Sequence, residues 1–228
     1  MPLLPHRRWS VEVREDSHNP PLSFGLVAEL EYGIQDGVRV LSSAVWDALR
    51  TTDAAWEAAD AATELVNQSL ALSSYGLATV SLSSRLWESR AGQTLEHARA
   101  IVGSAELFLD PIAAGNSAKR PIGDRIATLA SRDNHFASAI AVFAKAGLDL
   151  PAIWVVFEHV EKHAGSEDNL RKLGWITRKS HRPFAETVDR VRHYRPKLPP
   201  PVQRLSPRQC RAYVRDLLER WLDAEEPI

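Results

Sequence analysis

The chain has 228 residues, of which 44% are hydrophobic and 25% charged, as in a globular protein large enough to bury a core. Its single cysteine, Cys210, excludes a disulfide or a multi-cysteine metal site within one chain and favours a reducing compartment. No hydrophobic run approaches the roughly 20 residues of a membrane span, and the first residues lack a signal-peptide pattern. These features predict a cytoplasmic protein without membrane association.

Charge is unevenly distributed along the chain, although the net charge is only -1. Residues 1–170 carry 14 Lys and Arg against 22 Asp and Glu, whereas residues 171–215 carry 13 Lys and Arg against two acids. Residues 216–228 are acidic again, with one Arg and five acids. Segregation of this kind indicates an anionic partner. We refer to residues 171–215 as the basic segment.

The first half of the sequence has the pattern of a small, mostly antiparallel sheet with a covering helix. Hydrophobic and polar residues alternate as in half-buried strands, and Asp36-Gly37 separates two such runs as in a β-hairpin. A helix capped by Asp53 is expected to cover one face, since its apolar residues recur at helical spacing. The predicted strands are residues 9–13, 24–32, 38–41, 77–87 and 94–109.

Residues 110–123 are rich in Pro, Gly, Asn and Ser, a composition that predicts a domain boundary. We expect a β-rich N-terminal domain over residues 1–112 and an all-helical C-terminal domain over residues 122–228, which makes the fold α+β. Gly147 and Gly165 are expected to end helices in the second domain, and a proline-rich connector precedes the last one. Its helices are expected to begin at Asp133, Pro151, Ser166 or Asp168, about residue 184, and Ser206-Pro207.

The basic segment combines cations with aromatic rings. Arginine forks match phosphate oxygens and aromatic faces can stack on bases, so this composition favours a nucleic-acid contact surface. In the last helix, Arg208, Arg211 and Arg215 are three and four residues apart and are expected to share a face. The predicted ligand-binding residues are Trp175, Arg178, Lys179, Arg190, Arg192, His193, Arg204, Arg208, Arg211 and Arg215.

Two other interpretations of the basic segment stay open. Its arginines can pair with the acidic first half, within one chain or in a structural homodimer, and no known nucleic-acid-binding motif is present. In an enzyme, Arg192 would hold a phosphate-bearing substrate while His193, near Asp189 and Thr187, transfers protons. Walker, dinucleotide-binding and nucleophile-elbow motifs are absent. The sequence therefore assigns no catalytic residue and no cofactor, and it favours a non-enzymatic protein.

His159 and His163 are one helical turn apart, a spacing that can supply two metal ligands. Their order, His-Val-Glu-Lys-His, differs from the zincin His-Glu-x-x-His, and no third ligand is evident. Histidines in the last turn before Gly165 also interact favourably with the negative end of the helix dipole, so we predict no metal. Cys210 falls on the apolar side of the last helix and is expected to be buried and inert.

Residues 134–222 carry a further set of features: Phe157-Glu158, Asn169 ahead of Gly174-Trp175, Phe184 with Thr187, Arg192-His193, and a proline-rich link into a helix ending Trp221-Leu222. In these features the region resembles a group of uncharacterised bacterial proteins. In that group the threonine is followed by Ala-Asn and a longer stretch before Arg-His, whereas Val188-Asp189 and a short stretch follow it here. The resemblance implies a β-rich N-terminal part and a helical C-terminal part, and it supplies no catalytic residues.

The leading hypothesis is a protein that binds an anionic partner through the basic segment. Nucleic acid is the first candidate, and an acidic protein surface is the second. Because such binding would be mainly electrostatic, we expect it to depend on salt and to show weak sequence selectivity.

Overall fold

A computed structural model describes residues 7–15, 27–35, 37–73, 80–90, 93–99, 120–193 and 204–225. The chain forms two compact units, residues 1–124 and residues 125–228. A five-stranded antiparallel sheet lies in the first unit, and most of the described helices lie in the second. The predicted α+β architecture, a sheet with a covering helix followed by a helical array, is confirmed.

The described strands are β1 (Trp9–Glu15), β2 (Leu30–Gln35), β3 (Val38–Ser43), β4 (Val80–Arg90) and β5 (Gln93–Ala98). Their order in the sheet is β2-β3-β1-β4-β5, and each neighbouring pair is antiparallel. Strand β1 is central, and alternate residues Trp9, Val11 and Val13 are buried, as a strand with one face on the core requires. The register between β1 and β4 shifts between Val11 and Val13, as at a bulge.

Strands β2 and β3 form the hairpin that the sequence predicted. Gln35 pairs with Val38, and Gly37 between them has φ +81°, a left-handed value that glycine adopts without strain. Asp36 lies outside the described residues, as do parts of three predicted strands, including the first strand of this hairpin. Those parts are residues 24–26, 77–79 and 100–109.

Helix α1 (Thr52–Ser73) packs its apolar side chains, Trp56 among them, into the core of the sheet. The predicted cap, Asp53, lies inside this helix. The hydroxyl of Thr51 instead accepts the N–H of Ala54 at 3.2 Å, which caps the first turn. A short 3₁₀ helix, Ala44–Ala48, precedes α1.

The helices after the sheet are α2 (Ile122–Ala130), α3 (Asn134–Ala146), α4 (Leu150–Ala164), α5 (Glu167–Lys172), α6 (Arg178–His193) and α7 (Pro207–Ala224). Helix α4 is central to the second unit, because it packs against α3, α5, α6 and α7. Its residues Ile153, Val156, Phe157 and Val160 are all buried. Spacing of three and four residues places them on one side of the helix, as predicted.

Several helix ends have the capping groups that the sequence predicted. The Oδ1 atom of Asp133 accepts the N–H groups of His135 and Phe136 at 2.9 and 3.1 Å. Ser206 and Gln209 form the predicted capping box at the start of α7. Gly165 ends α4 with φ +83°.

Helix α6 begins about six residues earlier than the sequence predicted. The backbone N–H groups of Thr177 and Ser180 each donate to the other's hydroxyl at 3.1 Å, a reciprocal cap in which serine replaces the usual Glu or Gln. Pro183 lies inside the helix, where it lacks the N–H that would donate to the carbonyl of Lys179.

Helix α2 was not predicted, since it begins at Ile122 within the stretch that has the composition of a domain boundary. The rest of that stretch, residues 110–119, lies outside the described residues, and so does the proline-rich connector at 194–203. None of the described helices combines the length and hydrophobicity needed to cross a bilayer.

Replacing Asp133 tests the capping of α3. The Ala variant should lower the free energy of unfolding by about 1–2 kcal/mol, because a lost N-cap costs about that much. The Oδ2 atom, 3.0 Å from His163 Nδ1, is lost as well. Asp133→Asn is the matched control, since Asn caps nearly as well as Asp. Urea unfolding followed by circular dichroism measures both variants, and equal stability of the Ala variant and the unsubstituted protein would contradict the prediction.

Candidate functional site in the basic segment

Helices α5 and α6 meet at a corner that displays exposed cations. Residues 172–180, which we call the α5–α6 corner, include the exposed side chains of Lys172, Arg178 and Lys179. Within the part of the chain that the structure describes, none of these three forms an ion pair. Their charges are therefore available to a partner at this corner.

The backbone of the α5–α6 corner is fixed by hydrogen bonds on both sides. Gly174, at φ +71°, donates to the carbonyl of Arg171, and Trp175 donates to the carbonyl of Leu170, each at 3.0 Å. These two bonds form a Schellman motif that ends α5. The Thr177–Ser180 cap begins α6 directly afterwards. The corner consequently has a defined shape before any ligand arrives.

Two apolar side chains and one further cation lie at the same corner. Leu173 is 57% exposed, and the half-buried ring of Trp175 stacks on His163 with a centroid distance of 6.3 Å. Arg220, an exposed residue of α7, donates to the carbonyl of Gly174 at 3.4 Å. The surface is thus mixed, with cations beside apolar groups. Arg220 was missed by sequence reasoning because it lies outside the basic segment.

Arg208, Arg211 and Arg215 do not form an exposed arginine face, because two of the three side chains are buried. Arg208 is exposed, whereas Arg211 is only 6% exposed. The Nη1 atom of Arg211 donates to the carbonyls of Phe143 and Gly147 at 2.9 and 3.1 Å, and its guanidinium lies 4.0 Å from the Phe143 ring centroid. Burial lowers its pKa to about 10, and the charge of Arg215 adds to this shift. Arg211 therefore satisfies the last carbonyls of α3.

Arg215 is buried to the same extent and pairs along its own helix. It lies 3.2 Å from Asp216 and 3.3 Å from Glu219. Positions 211 and 215 border the buried stripe of α7, where long arginine stems can lie against apolar neighbours. That stripe comprises Cys210, Val214, Leu217, Leu218 and Trp221.

The remaining predicted residues lie near the other ends of α6 and α7. Arg204 is exposed just before α7. Arg190, Arg192 and His193 belong to the last turn of α6, and their side chains lie outside the described residues. The hypothesis of a catalytic His193 therefore stays a prediction.

The hypothesis of a catalytic His193 places Thr187 close to it. In the structure, the Thr187 hydroxyl has a structural role. Its Oγ1 donates to the carbonyl of Pro183 at 2.7 Å and accepts the N–H of Leu205 at 3.2 Å. The hydroxyl thus joins α6 to the residues that lead into α7. Both bonds compete with any role as a nucleophile.

Behind the α5–α6 corner lies a histidine network that the sequence did not reveal. The Nδ1 atom of His181 is 3.0 Å from the hydroxyl of Tyr213, and its Nε2 atom is 3.4 Å from a carboxylate oxygen of Glu167. The imidazole also stacks on Phe157 with a centroid distance of 4.8 Å. His181 on α6 thereby contacts α4, α5 and α7. No sequence pattern indicates this contact, because 32 positions separate His181 from Tyr213.

Burial sets the protonation of this network. It raises the pKa of Tyr213, and the nearby charge of Glu167 raises it further, so the phenol keeps its proton. Burial lowers the pKa of His181, against the opposing effect of Glu167. A neutral imidazole can accept the Tyr213 O–H at Nδ1 and donate from Nε2 to Glu167. Such a pairing joins α5, α6 and α7, and burial keeps the Tyr213 phenol protonated.

The two histidines of the hypothetical metal pair face different neighbours. His163 Nδ1 is 3.0 Å from Asp133, and its ring lies 4.2 Å from that of Trp221. His159 faces His135, with ring centroids 5.8 Å apart, and burial lowers its pKa. Among the described residues, no three metal-ligating side chains come together.

Cys210, the single cysteine, is buried as the sequence predicted. Burial raises the pKa of its thiol to about 11, so very little thiolate forms near neutral pH. Its expected inertness follows from this environment.

Comparison with known proteins gives no match: no family model, no curated protein and no solved structure matches the chain. What the chain binds is therefore inferred from its own residues. The α5–α6 corner is the strongest candidate, since it combines exposed cations, apolar groups and a fixed backbone.

Separate substitutions of Arg211 and Arg208 distinguish a structural from a surface arginine. Arg211→Ala should lower the free energy of unfolding by about 2–3 kcal/mol, because one buried and one partly buried carbonyl lose their donor. Arg208→Ala, the matched control one turn away, should change it by less than about 0.5 kcal/mol. Urea unfolding measures both values. Equal effects of the two substitutions on the free energy of unfolding would contradict a capping role of Arg211 at the C-terminal end of α3.

Proposed function

We propose that the protein is a non-enzymatic binding protein that contacts nucleic acid through the α5–α6 corner. The observation that carries this proposal is the exposure of Lys172, Arg178 and Lys179 without an ion pair in the described part of the chain. Cations held on a fixed backbone can meet phosphates with little loss of backbone conformational entropy.

The electrostatics of α6 also favours an anionic partner. Its first turn contains Arg178 and Lys179 and no acidic residue. Cations at this end oppose the positive end of the helix dipole, at a cost of roughly 0.3–1 kcal/mol each. A phosphate beside them relieves this repulsion, so the same arrangement that is unfavourable in the free protein favours the complex.

The apolar groups at the corner favour nucleic acid over a simple anion. Leu173 and the partly accessible ring of Trp175 can contact bases or sugars while the neighbouring cations meet phosphates. Arginine and lysine side chains that contact phosphates but not the edges of bases give affinity with little sequence preference. The proposed partner is therefore recognised by its backbone charge and its unpaired or accessible bases.

The spread of exposed cations favours a long polyanion over a mononucleotide. Arg208 lies at the start of α7 and Arg220 near its end, twelve residues further on. At 1.5 Å per residue this separation is about 18 Å along the helix. A single phosphate can reach only one of these ends, whereas a polynucleotide spans several phosphate spacings over that length.

Three alternatives predict different outcomes from the same experiments. An acidic protein surface would use the cations without needing accessible apolar groups. A structural homodimer would show a concentration-dependent mass at low salt. An enzyme on a phosphate-bearing substrate would depend on His193 and would turn over a phosphorylated compound.

The first test measures binding of labelled single- and double-stranded oligonucleotides by fluorescence anisotropy at low and moderate salt. We expect Arg178→Ala/Lys179→Ala to weaken binding about five- to thirtyfold, from roughly 0.5–1 kcal/mol for each exposed cation. The logarithmic salt dependence for single strands should fall by about 0.7 for each phosphate that the variant no longer neutralises.

The matched control is Arg14→Ala/Arg50→Ala, which removes two exposed cations from the first unit. This variant changes the net charge equally, so an effect of overall charge would appear in both. Equal weakening by the two variants would contradict a site at the α5–α6 corner. Absence of binding to either oligonucleotide at low salt would contradict nucleic acid as the partner.

A further inference from the structure

His181 connects the interior of the helical unit to the α5–α6 corner. It lies three residues after Arg178 and two after Lys179, and its N–H donates to the carbonyl of Thr177 at 2.9 Å. Its side chain is 8% exposed, and the rings of Phe157 and Phe184 lie 4.8 and 6.0 Å from the imidazole. The imidazole thus belongs to the first turn of α6, close to the cations of the corner.

The groups that face the imidazole come from three other helices. Helix α5 contributes Glu167 at 3.4 Å and the nearby charge of Arg171. Helix α7 contributes the hydroxyl of Tyr213 at 3.0 Å. Helix α4 contributes the uncharged ring of Phe157. Both ring nitrogens are thus occupied, one by an acidic and one by a hydroxyl partner.

The carboxylate that faces His181 is already shared. Glu167 also forms an ion pair with Arg171, and Arg171 bonds to Asp168 at 2.6 Å. A proton added at Nδ1 would point a second N–H at the Tyr213 hydroxyl, whose own hydrogen must then turn away. The new positive charge would be largely buried, with only part of one carboxylate to balance it.

We infer that His181 is a pH-sensitive latch: the neutral imidazole fastens α6 to α5 and α7, and protonation releases the α5–α6 corner. The latch itself follows from the contacts of His181. Its consequence, pH-dependent binding, rests on the proposed function of the corner. As the latch opens, Arg178 and Lys179 lose their fixed positions, and affinity for a polyanion falls.

The sign of the effect follows from proton linkage. Burial lowers the pKa of His181 below its ordinary value of 6.5, whereas an opened corner restores that value. The opened form therefore binds a proton more readily. The latch is fully closed above about pH 6.5 and weakens as the pH falls through the lower pKa of the closed form.

The test compares amide hydrogen exchange of residues 167–181 with oligonucleotide affinity, from about pH 7.5 to about pH 5, a window around the ordinary histidine pKa. After correction for intrinsic exchange, protection of these amides should fall severalfold to tenfold toward acid in the unsubstituted protein. Affinity should fall in parallel. Simple electrostatics predicts the opposite trend, because an added positive charge strengthens binding to a polyanion.

His181→Phe is the decisive variant, since it keeps an aromatic ring but cannot titrate. Neither its protection nor its affinity should fall toward acid through this window. His181→Gln keeps polar groups near Tyr213 and Glu167 without titrating, and it replaces the Phe variant if that variant does not fold. The same acid dependence in the unsubstituted protein and in the non-titrating variant would overturn the latch.

The two arms of the experiment separate failure of the latch from failure of the proposed function. If no oligonucleotide binds at any pH, the proposed function fails, and exchange alone decides on the latch. If binding occurs but neither protection nor affinity falls toward acid, the latch fails and the binding surface stands. Tyr213→Phe, which removes one partner of Nδ1, should lower protection even near pH 7.5.

Discussion

Burial of helix α4 is the constraint on which the helical unit depends. Four helices pack against it, and each must turn its apolar side chains toward Ile153, Val156, Phe157 and Val160. This requirement fixes the rotation of α6 and α7 about their own axes. It also determines which of their charged side chains reach water. Packing of the helices therefore determines which cations of the basic segment are buried and which are exposed to a partner.

The result is a basic segment with two kinds of arginine. Arg211 donates to the end of α3 and contributes to the fold, whereas Arg178 is exposed at a helix start where its charge is unfavourable. The charge composition of the sequence does not distinguish these two arginines, since both belong to a segment with 13 cations and two acids. Only burial distinguishes them. A surface function can accordingly rest on fewer residues than the composition indicated.

Local features of the fold could be predicted from the sequence because a few adjacent residues determine them. Asp133, the Ser206–Gln209 capping box and the Asp-Gly hairpin signal all depend on neighbours within four positions. The start of α6 was missed because Ser180 takes the place of Glu in its cap. Helical periodicity alone did not distinguish exposed positions of α7 from those that border its buried stripe. Arg211 was therefore expected to be exposed, although it is buried.

The histidine network could not be predicted, because its members come from separate helices. His181, Glu167 and Tyr213 have no common spacing, and each residue alone resembles an ordinary helix position. These contacts exist only because α5, α6 and α7 all pack against α4. Pairing of this kind depends on tertiary packing, and a single sequence gives no direct signal for it.

The closeness of this network to the cationic corner has an energetic consequence. If the corner binds a polyanion only when the latch is closed, then binding must also favour the neutral form of His181, since coupling between two equilibria is reciprocal. Phosphates near Arg178 would act in the opposite sense, by attracting a proton to the imidazole. That attraction acts from the exposed surface and is screened over about 8–10 Å, whereas the contacts with Tyr213 and Glu167 are direct. The direct contacts should therefore dominate, and polyanion binding should release protons from His181 in mildly acidic solution.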